Sequence, residues 1–221
     1  MAGSRDAGNA GPFAKPVEGQ TPSGGLPTLR RKAAECRACP LWRDATQTVF
    51  GEGSSRARVM LIGEQPGHQE DLAGEPFVGP AGRLLRAAID EAGLSSGDVY
   101  LTNTVKHFKF TRRGKVRLHQ RANAAEQAAC RPWLAAEFER VRPQRVLALG
   151  AMAAQTLFGR GFSVTAHRGE WRPLPTGLPA MATWHPSAIL RKRGADREAA
   201  QRELLADLRR VAEALAGGKA G

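Results

Sequence analysis

Four short apolar runs constrain this chain more than any other feature. They span 58–62, 99–102, 146–149 and 180–184, and they stop at Gly63, Asn103, Gly150 and His185. Each is too short for a helix and too continuously apolar for an exposed strand, so each reads as a strand buried on both faces. Helical patterns at 80–92, 124–141, 151–158 and 195–216 lie between and after them. Such alternation predicts an α/β fold, a three-layer α/β/α sandwich around a central, mainly parallel four-stranded sheet. In such a sheet the functional cleft opens beyond the carboxyl ends of the strands. That rule gathers 63–67, 103–107, the turn at Gly150 and 185–187 at one edge.

Residues 1–27 are rich in Gly, Pro, Ala and Ser without an apolar period, and they read as a disordered tail. Residues 28–216 then form one domain, with 217–221 a flexible end. The chain carries 33 Lys and Arg against 21 Asp and Glu, a net charge of +12. That balance favours a polyanionic partner, through counterions released from phosphates. An anionic membrane would attract the same charge, but the sequence has no basic amphipathic helix with an aromatic face and no long apolar span. A monomeric, cytoplasmic protein of bacterial type, associated with the nucleoid, is expected. The stretch 108–122 holds Lys109, Arg112, Arg113, Lys115, Arg117 and Arg121, and is too long and polar for a simple connector.

Three cysteines occur, Cys36, Cys39 and Cys130. An odd count without a secretory pattern argues against a disulfide framework. Cys36 and Cys39 form a C-x-x-C pair followed by Pro40, a spacing that grips one metal or two irons of a cluster. No strand precedes the pair, so a thioredoxin-like redox motif is disfavoured. Cys130 alone reads as a core cysteine. A four-ligand site needs one more donor, and His107, just past the second strand, is the candidate. Spacing alone leaves zinc and an iron–sulfur cluster both open.

The strand ends carry the remaining motifs: Gly63-Glu64-Gln65-Pro66-Gly67 after the first run, then Pro76-Phe77-Val78-Gly79-Pro80-Ala81-Gly82-Arg83-Leu84-Leu85, Thr102-Asn103, and His185-Pro186-Ser187. None has the spacing of a Walker loop or a dinucleotide fingerprint. In this order, with the C-x-x-C pair, they resemble the iron–sulfur uracil-DNA glycosylases, from about Cys36 to Arg191. Two features resemble the UdgX branch of that superfamily. His107 stands where other members carry a cysteine, and a basic loop reads Lys115-Val116-Arg117-Leu118-His119. The branch usually has K-R-R-I-H there, so this chain departs at Val116 and Leu118. His68 also replaces a common acidic residue.

The resemblance implies an enzyme of DNA repair that excises uracil from single- or double-stranded DNA. It implies an iron–sulfur cluster, [4Fe–4S], on Cys36, Cys39, His107 and Cys130. Phe77 would stack on the flipped base, although position alone reads it as core. Asn103 would read the uracil edge, although an Asn after a strand is ordinarily a turn residue. Gly63 and Gln65 would line the base site. His185 would stabilise the departing base and Glu64 the sugar cation. His119, which composition alone makes a solvated histidine, would bond covalently to C1′ of the abasic sugar. Ser187 and Arg191, with Lys109 and Arg117, would hold the DNA backbone. A conventional glycosylase that releases a free abasic site uses the same pocket and leaves His119 a bystander. A non-enzymatic metal protein that binds nucleic acid needs no carboxylate in its cleft.

Overall fold

The computed structural model describes residues 21–217. Residues 1–20 and 218–221, which hold most of the expected tail and nearly all of the expected flexible end, lie outside the described residues. Helix α1 (Leu26–Ala34) begins inside the last positions of that tail, with Pro27 in a first turn whose N–H groups lack helical partners in any case. The other elements follow as β1 (Glu52–Gly53), β2 (Val59–Gly63), α2 (His68–Ala73), α3 (Pro80–Glu91), β3 (Val99–Asn103), β4 (Phe110–Arg113), β5 (Val116–His119), α4 (Ala124–Val141), β6 (Arg145–Leu149), α5 (Gly150–Phe158), α6 (Val164–His167), β7 (Arg172–Pro173), β8 (Pro179–Thr183), α7 (Pro186–Arg191) and α8 (Gly194–Gly217).

The main sheet runs β1-β3-β2-β6-β8-β7. Its centre is the expected parallel set, β3, β2, β6 and β8. The expected count of four strands is corrected to six, because β1 and β7 add antiparallel edges. Each edge strand has two residues, Glu-Gly and Arg-Pro. Segments so short show no alternation, and Gly and Pro argue against strand on pattern alone. Short edges also discourage pairing with other chains.

Both faces of the sheet are covered. Val59, Leu61 and Leu147 pack against Leu85 and Ile89 of α3, Ile189 of α7, and Leu204 and Leu208 of α8. Met60, Ile62, Val146 and Ala148 pack against Leu134 and Phe138 of α4 and Ala153 and Leu157 of α5. Each large apolar side chain so buried contributes about 1.5–3 kcal/mol. Among the described residues no helix is long and apolar enough to cross a membrane.

The basic stretch forms a separate hairpin, β4–β5, that turns at Gly114. Its pairing puts Phe110, Arg112, Arg117 and His119 on one face and Thr111, Arg113, Val116 and Leu118 on the other. Arg117 ties the first face to the body through Asp71, at 2.6 Å. The second face leaves Val116 and Leu118 exposed.

Helix α3 runs so close to the preceding loop that a Cβ on Gly82 would lie 1.8 Å from the carbonyl oxygen of Phe77. Gly82→Ala is expected to shift that loop and to lower stability by about 1–3 kcal/mol, as overpacking does. Urea unfolding measures it, and a midpoint equal to that of the wild type would show that the loop yields freely.

Candidate active site

The register of β2 and β3 sets Gly63 beside Asn103 at their carboxyl ends. A Cβ at Gly63 would sit 2.4 Å from Asn103 Oδ1 and 2.7 Å from the Phe77 ring. Only glycine leaves room for both groups. Asn103 is 3% exposed, yet its side-chain amide has no hydrogen-bond partner among the described residues. An amide on a buried residue that opens only onto the cavity, with its donors and acceptor free, is prepared for a ligand.

Phe77 is buried at a φ of +56°, a left-handed conformation that costs a bulky residue about 1–3 kcal/mol. Arg86 holds it there, donating to the carbonyl oxygens of Phe77 and Pro76 at 3.2 Å each. Glu70 braces the same turn. One of its carboxylate oxygens accepts from Gly79 N at 2.8 Å and the other from Gly67 N at 3.2 Å.

His185 ends the run after β8. The main-chain N–H of Ser187 donates to its Nδ1 at 3.1 Å. A neutral ring that accepts at Nδ1 carries its proton on Nε2. Burial, then the charges of Arg191 and His119, push its pKa down to about 4. The ring is therefore neutral at physiological pH.

These groups share one cavity of about 110 Å³, lined by Gln65, Phe77, Asn103, His119, His185 and Ser187, with Gly67, Glu70 and Ala81. Of the residues expected to act on the base and the sugar, Gln65, Phe77, Asn103, His119 and His185 are thus brought together, with Ser187 beside them. Glu64 is partly exposed and stands outside the cavity lining. The carboxylate that does line it is Glu70, which sequence reading passed over. Its signal was position, since a Glu in the first turn of a short helix after a glycine turn is placed to bond back to that turn.

The hairpin carries His119 into the cavity, and its stems are latched by Gln65. That amide donates to Gln120 O at 3.0 Å and Lys109 O at 3.4 Å, and accepts from Ala122 N at 3.0 Å. Gln65 therefore lines the cavity with its amide committed to the hairpin. The two hairpin cations expected on phosphates are held by carboxylates of the protein itself. Lys109 pairs with Glu126 at 2.8 Å. Arg117 pairs with the fully buried Asp71, donates to His68 Nδ1 at 2.8 Å and lies over Phe108 and Phe110. His68, the departure from the acidic pattern, is thus an acceptor for Arg117. Arg191 is exposed, 3.4 Å from Ser187 Oγ.

The sulfur residues gather on the other side of the 104–107 loop. Cys39 and Cys130 influence each other: their interaction pulls the Cys39 pKa down to about 6 and pushes that of Cys130 up. Cys36 Sγ accepts from Trp133 Nε1 at 3.2 Å, one turn beyond Cys130 on α4. His107 is 4% exposed and bonds Thr48 Oγ1 through Nε2 at 2.8 Å. Burial and the charge of Arg37, inside the C-x-x-C turn, lower its pKa. Three thiols and a neutral imidazole suit a soft metal or cluster in donor chemistry. Among the described residues they are not closed into a metal-binding group.

Residues 50–209 match the model of the uracil DNA glycosylase superfamily, and the chain belongs to it. Within that superfamily it is 37% identical to the type-4 uracil-DNA glycosylase of Thermotoga maritima, over 75% of this chain and 83% of that one. It is 34% identical to the type-4 enzyme of Saccharolobus solfataricus, over 86% of each. A type-5 uracil-DNA glycosylase of Mycobacterium leprae is 29% identical, over 75% of this chain and 86% of its own.

His185 generates a pH prediction. Its folded pKa, about 4, lies below the ordinary value of 6.5. The unfolded chain therefore binds this proton first as pH falls, and its contribution to stability declines from about pH 6.5 down to about 4. Urea midpoints at pH 7 and pH 4.5 should fall less in His185→Phe than in the wild type. Equal falls would place the acid sensitivity elsewhere.

Proposed function

We propose that this chain excises uracil from DNA and captures the resulting sugar through His119, as in the UdgX branch. The observation that supports this best is His119 itself. An imidazole from a separate hairpin lines the same small cavity as Asn103, Phe77 and His185.

A uracil turned out of single- or double-stranded DNA enters the cavity. Phe77 stacks on it, a contact worth about 1–3 kcal/mol. The Asn103 carbonyl accepts the N3–H and its NH₂ donates to O4, a pattern that cytosine reverses. Main-chain amides of the 63–67 turn add donors. As the C1′–N1 bond breaks, its electron pair moves onto the base. His185 Nε2–H donates to O2 where that charge grows. Glu64 opposes the positive sugar from the end of β2. A neutral His119 ring nitrogen gives its lone pair to C1′, and the other ring nitrogen loses its proton to Glu64 or solvent. Ser187 and Arg191 hold the flanking phosphates. Lys109 and Arg117, paired within the protein, act on DNA by aiming the hairpin.

Cys36, Cys39, His107 and Cys130 would hold the iron–sulfur cluster, [4Fe–4S]. Bound there, it would tie together the C-x-x-C turn, the 104–107 loop and α4. The protein acts as a monomer.

A second reading, release of uracil with water as nucleophile, is favoured by the type-4 names of the relatives. Denaturing electrophoresis after mixing with a uracil-containing oligonucleotide separates the two. The wild type should show a protein–DNA band that survives SDS and heat. His119→Ala should lose that band and keep some uracil release, because water occupies the vacated space. Alkali-labile DNA without any stable band in the wild type would establish the second reading.

A further inference from the structure

Lys106 and Glu137 form an ion pair whose side chains are 1% and 0% exposed, with Nζ 2.6 Å from Oε2. Burying two charges costs several kcal/mol per ion, and an apolar pair of equal volume is often as stable. The partners show what this pair adds. The ammonium has three N–H donors. They go to Glu137, to Thr102 Oγ1 at 2.7 Å and to the main-chain carbonyl of Asn103 at 2.7 Å. Glu137 is fixed in turn by Gly51 N at 3.0 Å and the Tyr100 hydroxyl at 3.1 Å. One saturated, rigid cation thus grips the peptide of the residue whose free amide faces the cavity. The main chain of Lys106 is held separately, with its carbonyl accepting from Val49 N at 2.8 Å.

We infer that Lys106, locked by Glu137, is a positioning residue that fixes the Asn103 peptide from beneath, so that the Asn103 amide meets the base at one angle. The inference rests on the proposed uracil chemistry for its effect on rate, while its geometric part stands apart from that chemistry. A misplacement of about 1 Å at such a contact costs about 100-fold in rate.

The test uses the full chain. Lys106→Met alone leaves a buried unpaired carboxylate, so the informative variant is Lys106→Met with Glu137→Gln. It removes both charges and keeps an acceptor for Gly51 and Tyr100. Single-turnover uracil release should fall about 10- to 100-fold, with DNA affinity unchanged. Adding Asn103→Ala to the double variant should cost nothing further, because both changes remove the same contact. Hydrogen exchange supplies a readout without catalysis. The Thr104 and Val105 amides, bonded to Gly63 O and Glu64 O, should lose protection while those of β6 keep theirs.

Losses that multiply with Asn103→Ala would overturn the inference. So would unchanged protection at Thr104 and Val105, or faster exchange through every strand alike. A wild type that releases no uracil would overturn the chemical reading, and the exchange experiment would still decide the role of Lys106.

Discussion

Strands β2 and β3 end level with one another, and the cavity depends on that. Parallel pairing carries Gly63 to the side of Asn103, and the missing side chain at Gly63 is what lets the Asn103 amide and the Phe77 ring occupy adjoining space. A shift of the pairing by one residue would exchange the two faces of β3 and turn its polar end into the core. The apolar alternation of Val59 and Leu61 against Met60 and Ile62, packed on opposite helical layers, holds the register. The site is thus fixed by packing that has no chemistry of its own.

The second constraint is the attachment of the β4–β5 hairpin. A two-stranded ribbon is marginally stable by itself. Here Gln65 ties its stems, and Arg117 pairs with the buried Asp71 while lying over the rings of Phe108 and Phe110. Because side chains alternate along β5, the anchoring of Arg117 toward the body also turns His119 toward the cavity. Anchor and nucleophile candidate share one face for a geometrical reason.

The parallel core and the strand-end residues were legible because each depends on local pattern: an apolar run, then a glycine or polar stop. Asn103 and His185 followed from that pattern and the resemblance, Phe77 from the resemblance alone. The edge strands were not legible, since Glu52–Gly53 and Arg172–Pro173 are held by partners distant in sequence. Glu70, Lys106 and the latching role of Gln65 were hidden for a related reason. Sequence shows that a residue is polar, and the side chain's partners decide whether it braces a turn, latches a hairpin or grips a peptide. Lys109 and Arg117 show the converse. A basic run looked like a phosphate surface, while Glu126 and Asp71, supplied by α4 and α2, take up those two charges.

The proposed bond between the His119 ring and the sugar is open to direct detection. The most direct measurement is tandem mass spectrometry after nuclease and tryptic digestion of the protein exposed to uracil-containing DNA. Cleavage after Arg117 and Arg121 releases the peptide Leu118-His119-Gln120-Arg121. A deoxyribose remnant on that peptide, fragmenting to His119, is expected. A remnant on any other peptide, or an unmodified peptide throughout, would contradict the proposed bond.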